Sequence, residues 1–160
     1  MMTRGEYIKE VSRLLLLLDI RHFDSLELCQ PGAKRGDVVL QAPPPYLHVN
    51  MIPTIVRLEA VRRGLGGRIQ CCTPAFPGRG YRNREYNDNI PGASQGSYHL
   101  KFNALDLVPL DNTTRELYDA LCALPGSNRF GIRRYANRSF VHFDTRGLIE
   151  PDVPGWRVSE

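Results

Sequence analysis

Near the start of the chain, apolar Tyr7, Ile8, Val11, Leu14, Leu15 and Leu18 follow the three-and-four spacing of one helix face. That spacing predicts a helix over 5–18. The stretch 30–45 is polar and rich in Gly and Pro, and it predicts a surface loop stiffened at its end by Pro43, Pro44 and Pro45. Asn50 is placed to cap a second helix from about 52 to 63, with Pro53 tolerated in its first turn and Gly64 near its C-terminus. Residues 68–73 read as a short strand. The segment 74–98 reads as a long connection holding one helical turn near 84–89, and an irregular stretch of that length usually carries function. A strand is predicted over 104–108. Thr113 and Glu116 form a capping box that opens a helix running to Leu124, and Pro125-Gly126 ends it. Residues 130–135 and 139–144 predict a final strand pair. This order of helices and strands, with no internal repeat, predicts an α+β domain.

Composition narrows the class. The 160 residues suit one domain over 1–160, and 42 % hydrophobic with 24 % charged residues excludes a disordered chain, a coiled coil and a collagen-like repeat. No apolar run approaches the roughly 18 residues of a membrane span. Glu6 and Glu10 interrupt the basic start before the leucines at 14–18, and no small-residue cleavage site follows, so the N-terminus reads as a mature helix rather than a signal peptide. Cys29, Cys71, Cys72 and Cys122 form no C-x-x-C pair, which argues against a thiolate zinc site. Cys71 and Cys72, adjacent on a predicted strand, point to opposite faces; buried free thiols are the expectation.

The net charge is +4, and seven arginines (Arg57, Arg62, Arg63, Arg68, Arg79, Arg82, Arg84) stand against one acid, Glu59, between 57 and 84. Such a patch fits an anionic partner or a solvated helix face. No aromatic-plus-basic nucleic-acid motif accompanies it, so no stable nucleic-acid partner is expected.

Of the four histidines, two lie in dense polar contexts: His99 with Asp106 seven residues on, and His142 in Phe140-Val141-His142-Phe143-Asp144. A catalytic zinc site takes three protein ligands and keeps one position open. His99, Asp106 and His142 can supply that set if the strands around 106 and 142 are neighbours; structural histidines are the competing explanation.

The residues around them carry a resemblance. Gly80-Tyr81-Arg82-Asn83-Arg84-Glu85-Tyr86-Asn87, Gly92-Ala93-Ser94, Ser97-x-His99 through Ala104-x-Asp106, and Phe140 to Gly147 followed by Trp156 resemble the D-Ala-D-Ala carboxypeptidase-like (VanY-like) zinc peptidases of the Hedgehog/DD-peptidase superfamily. The resemblance is clearest over 50–160, leaving 1–49 as an N-terminal helix and loop extension. It implies a small, mainly antiparallel sheet with flanking helices and one Zn²⁺ ion held by His99, Asp106 and His142. It also implies a peptidoglycan peptide as substrate, with D,D-carboxypeptidase or endopeptidase chemistry. Arg82 matches the family arginine that holds a substrate carbonyl or carboxylate, a bidentate role suited to a planar guanidinium; the alternative is that it ties down its own loop through Asn87 or Glu85. Ser97 orients the first ligand or binds substrate, and Tyr98 is grouped with it at the substrate. Asp144, two positions after His142, either hydrogen-bonds a ligand histidine or reaches the attacking water.

Three positions depart from the family pattern: Phe102 replaces a glycine, Asn83 a serine, and Ser139 the acid that serves many relatives as general base. Asp144 is then the best local candidate for the base and His48 a remote one. A zinc-holding but catalytically silent cell-wall-binding domain is the alternative. The small size and absent signal peptide suggest a protein made in the cytoplasm that acts at the cell wall after release or other export, as a phage endolysin does.

Overall fold

The computed structural model describes residues 1–160. Helix α1 (Arg4–Leu17) starts at a capping box in which Thr3 accepts the Glu6 N–H and Glu6 reaches back to Thr3. It buries Tyr7, Val11 and Leu15, one residue per turn, so the predicted apolar face is the packed one. A short α2 (Ser25–Leu28) follows, capped by Asp24 and Glu27. The expected loop at 30–45 contains a small hairpin, β1 (Lys34–Arg35) with β2 (Val38–Val39). Strands of two residues carry no readable periodicity, which is why they were not foreseen.

Helix α3 spans His48–Leu65, entered from a 3₁₀ turn over Pro45–Leu47. Asn50 is not its cap. The Asn50 side chain donates to the Lys101 carbonyl at 2.9 Å, so a tertiary contact takes the group that a cap would use. The helix ends at Gly66 in the left-handed region (φ 72°) rather than at Gly64. Only Ile69–Gln70 (β3) of the predicted strand pairs, against Pro109 and Val108. Cys71 and Cys72 have left the sheet, and both are buried free thiols. Their Sγ atoms donate to the carbonyls of Arg79 and Pro77, which draws a 3₁₀ turn (Pro77–Arg79) onto the core. Cys29 is buried and free as well, and Cys122 is half-buried.

Helix α4 (Arg84–Asp88) is the expected single turn, and β4 (Ala104–Pro109) and α5 (Thr114–Cys122) follow as predicted. The Thr113–Glu116 box is formed, and α5 buries Leu117 and Leu121. Strands β5 (Gly131–Arg134) and β6 (Val141–Asp144) pair antiparallel. After a short α6 (Arg146–Ile149), an unforeseen strand β7 (Trp156–Ser159) runs parallel to β5. Its side chains are mostly exposed, so it lacks the apolar alternation that betrays a half-buried strand. The five-stranded sheet has the order β3-β4-β6-β5-β7 and is antiparallel except at that last pair. Its core cluster runs from Tyr7 to Phe143 and joins α1, α3, α5 and the sheet. The architecture is α+β with a small, mainly antiparallel sheet and flanking helices. No helix is long and apolar enough to cross a membrane.

Phe102, the residue at the family glycine, keeps the left-handed backbone that a glycine would adopt (φ 52°, ψ 45°). Left-handed geometry costs a non-glycine residue roughly 1–2 kcal/mol. The ring offsets it by burial, packing edge-on to His48 and Tyr81 at 5.9 and 5.8 Å.

Candidate metal centre

Asp106 lies in β4 and His142 in β6, and the register sets them directly opposite each other. Cross-strand partners share one face of the sheet, so both side chains project to the same side. Their closest approach is 3.0 Å, His142 Nδ1 to Asp106 Oδ1. His99 comes from a 3₁₀ turn (Tyr98–Lys101) whose entry is capped by the Ser97 hydroxyl accepting the His99 N–H. Its Nε2 lies 3.4 Å from the same Asp106 oxygen. One donor atom from each of the three residues falls within 4.8 Å of the others.

The far side of each ring is held. His99 Nδ1 donates to the Gly80 carbonyl at 2.7 Å, leaving the Nε2 lone pair aimed at Asp106. That contact depends on a close approach at Gly80, where a Cβ would fall 1.9 Å from the Leu28 carbonyl oxygen. His142 Nε2 meets Asp144 Oδ2 at 2.9 Å, leaving Nδ1 toward Asp106. Rings oriented in this way by an acceptor behind them are the usual second layer of a zinc site. Two imidazoles and a carboxylate suit zinc in hardness and number, so the residues fit a three-ligand site with one open position.

The turn carrying His99 is fixed by a network that the sequence reading missed. Asn103 Nδ2 donates to the Asn50 carbonyl at 2.7 Å and to the Thr145 hydroxyl at 3.0 Å, while its Oδ1 accepts the Thr145 N–H at 3.1 Å. Thr54 adds a bond to the Asn103 carbonyl at 2.8 Å. This buried set ties the turn to α3 and to the end of β6. The polar pairs are 42 to 53 residues apart, so only the Asn within the His99–Asp106 motif could have hinted at them.

Burial disfavours charge on Asp106, but His99 and His142 outweigh it and hold the carboxyl well below the usual range. Burial and the neighbouring Arg82 push His99 down, toward the neutral form that ligates metal. Burial also opposes charge on His142, yet its bonds to Asp106 and Asp144 dominate and raise it to about 9.

Arg82 donates from Nη2 to Asp106 Oδ2 at 2.9 Å and from Nε to the Gly78 carbonyl. It is tied to the cluster itself, not to Asn87 or Glu85. Asp144 is fully enclosed: it accepts from His142, from the Gly131 N–H at 3.2 Å, and from Arg146 Nε and Nη2 at 2.8 and 2.6 Å. Arg146 in turn lies over the rings of Tyr98 and Trp156 at 4.4 and 4.8 Å, and Trp156 stacks on the His142 imidazole with an 11° interplanar angle. Trp156 and Arg146 therefore back the histidine, a role their place in the sequence alone did not disclose. The Tyr98 hydroxyl is engaged by Glu150, so this residue presents its ring to the cleft. His48 is buried between Tyr7 and Phe102, bonded to the Pro43 carbonyl, and it does not line the cleft.

The three clustered donors and Arg82 line a cleft of about 490 Å³ that also exposes Ser97 and residues of the 90–96 loop. Asp106 is its sole carboxylate lining. Ser139 lies outside it, on the exposed β5–β6 turn.

No curated protein and no solved structure was found to match the chain. Compared with known families, residues 22–144 match Peptidase M15, more than half of the sequence and a span that contains all three clustered donors. The chain therefore belongs to the Peptidase M15 family of zinc peptidases, of which the VanY-like enzymes are the branch its motifs resemble.

Proposed function

We propose that this protein is a zinc-dependent peptidase that hydrolyses amide bonds in peptidoglycan stem peptides or their cross-links, acting at the cell wall. The observation that carries the reading is the Asp106–His142 cross-strand pair completed by His99, each ring held from behind, at the floor of an open cleft. His99 Nε2, Asp106 Oδ1 and His142 Nδ1 are the atoms that would hold the ion. Bound zinc would polarise the scissile carbonyl and lower the pKa of a coordinated water to ~7.

The chain's own groups do the rest. Gly80 and Asp144 keep the two rings oriented. Asp144 is saturated by Arg146, His142 and Gly131, which favours the orienting role over that of base. Arg82 faces the cleft with Nη1 free of any protein hydrogen bond, so that group is available to a substrate carbonyl or carboxylate. Trp156 stacks on one face of His142. Ser97 holds the His99 turn, and the Tyr98 ring forms part of the wall.

One observation favours a second reading, a zinc-holding wall-binding domain without turnover: no carboxylate other than Asp106 lines the cleft. Mass spectrometry of purified peptidoglycan incubated with the protein, with and without a zinc chelator, decides between them. Loss of a terminal alanine marks a carboxypeptidase and conversion of dimers to monomers an endopeptidase, provided chelation abolishes either. No product from zinc-loaded protein overturns the peptidase reading in favour of the binding domain.

A further inference from the structure

The cleft adjoins a second chamber of about 480 Å³, and Arg82, Ile90, Asp106, Arg138 and Phe140 line both. The two histidines face only the first. The chambers differ in how their positive charge is balanced. In the first, Arg82 is paired with Asp106, Arg133 with Glu160 and Arg146 with Asp144, which leaves only the shared Arg138 unpaired. In the second, Arg35, Arg79 and Arg138 form no ion pair, and Asp106, already engaged, is again the sole carboxylate in the lining. Arg35 bonds only to the Asn89 carbonyl, and the Arg79 guanidinium lies 4.1 Å from the centre of the Phe76 ring.

An exposed arginine is ordinarily just solvated. Here three of them arrive from separate segments, namely strand β1, the 77–79 turn and the β5–β6 turn, and converge on one concavity with aromatic walls at Phe76, Tyr86 and Phe140. Like charges held together without a counter-ion raise the local potential, which an anionic ligand relieves. The planar guanidinium also matches a carboxylate in geometry.

We propose that the second chamber is a carboxylate-binding subsite. It seats an acidic stretch of the substrate peptide on the side of the Arg82–Asp106 pair away from the histidines. This rests on the peptidase reading for its substrate, but the binding itself does not need turnover. The site is then read by an extended, anionic peptide that crosses Arg82, with Arg79 and Arg138 supplying recognition and Arg35 the outer charge.

The test is fluorescence anisotropy with zinc-loaded protein and two labelled, C-terminally amidated pentapeptides, one with a central Glu and one with Gln in its place. The Glu peptide is expected to bind roughly tenfold tighter, a gap that narrows as salt shortens the screening length. The double variant Arg79→Ala/Arg138→Ala should abolish the gap, while Arg115→Ala, on the exposed face of α5 and paired to Asp119, should leave it intact. Equal affinity for the two peptides, no measurable binding of either, or a preference that survives the double variant overturns the proposal. Mass spectrometry of the same mixtures reports hydrolysis separately. A charge preference without cleavage therefore keeps the subsite and counts against the peptidase, and cleavage without a preference does the reverse.

Discussion

Of the three buried carboxylates flanked by histidine and arginine, Glu59, Asp106 and Asp144, only Asp106 lines the cleft; Asp144 stands behind the same histidine, and Glu59 belongs to a separate cluster. Glu59 on α3 accepts from His22 Nδ1 at 2.8 Å, from the backbone N–H groups of Arg21 and His22, and from Arg63 Nε at 3.0 Å. Burial resists its ionisation, but the His22 side chain and these backbone donors prevail and hold it below the usual carboxylate range. Most of these donors are N–H groups that cannot give up a proton, so Glu59 staples the 19–22 turn to α3. Asp106 meets two ring nitrogens whose opposite nitrogens are already bonded. Residue types alone do not separate the two clusters; the convergence of three possible ligand atoms on one accessible point does.

The difference can be broken most directly at Asp106. Asp106→Ala should take zinc content, read by inductively coupled plasma mass spectrometry, from about one ion per chain to none. It should lower peptidase turnover by about three orders of magnitude, as loss of metal chemistry implies. A variant that retains one tightly bound zinc removes the ligand assignment. Glu59→Ala is the converse change. It should leave zinc content and turnover intact while lowering unfolding free energy by about 3 kcal/mol in urea titrations, because His22 and Arg63 lose the buried partner that organises them.

Asp144→Asn sits between these extremes. It keeps the shape behind His142 but weakens the acceptor, so zinc affinity in competition with a chelator should fall roughly 10- to 100-fold with the fold retained.

Glu27 sharpens the contrast with the smallest effect, since it is a partly buried carboxyl with no cation beside it. Burial, its largest influence, pushes it up from 4.5 to about 7 despite the capping bond to Asp24. A carboxyl whose pKa is higher folded than unfolded supports the fold while protonated. Its contribution is full below about 4.5, declines as pH rises and is lost above about 7. Glu27→Gln should remove that decline, worth roughly 1 kcal/mol after solvent screening, in melting curves recorded from pH 4 to pH 8.

Much of the site was legible because its motifs are local. His99 and Asp106 share one turn-and-strand unit, and His142 and Asp144 share one strand face. Arg82 was legible as a candidate, but its tie to Asp106 was not, since the sequence offered Asn87 and Glu85 as nearer partners. Asn103, Arg146 and Trp156 acquire their roles only by contact. Asn103 reaches Asn50 and Thr54 on α3, and Trp156 reaches His142 through a parallel strand that carries no apolar pattern. Asn50 shows the same competition in reverse: a good capping residue was taken by the Lys101 carbonyl.

The sequence by itself determined what short-range physics can encode. The Thr3–Glu6 and Thr113–Glu116 boxes start their helices, the spacing of Tyr7, Val11 and Leu15 selects the buried face, and the three ligand candidates are set by type and order. The tertiary structure decided which of these residues meet. The antiparallel register of β4 and β6 puts Asp106 opposite His142, the bond from His142 Nε2 sets Asp144 behind that ring, and the approach of the 21–22 turn to α3 brings its N–H groups to Glu59. Caps and periodicity act within a turn or two of chain, whereas register and the allocation of buried partners depend on groups dozens of residues apart competing for the same donors.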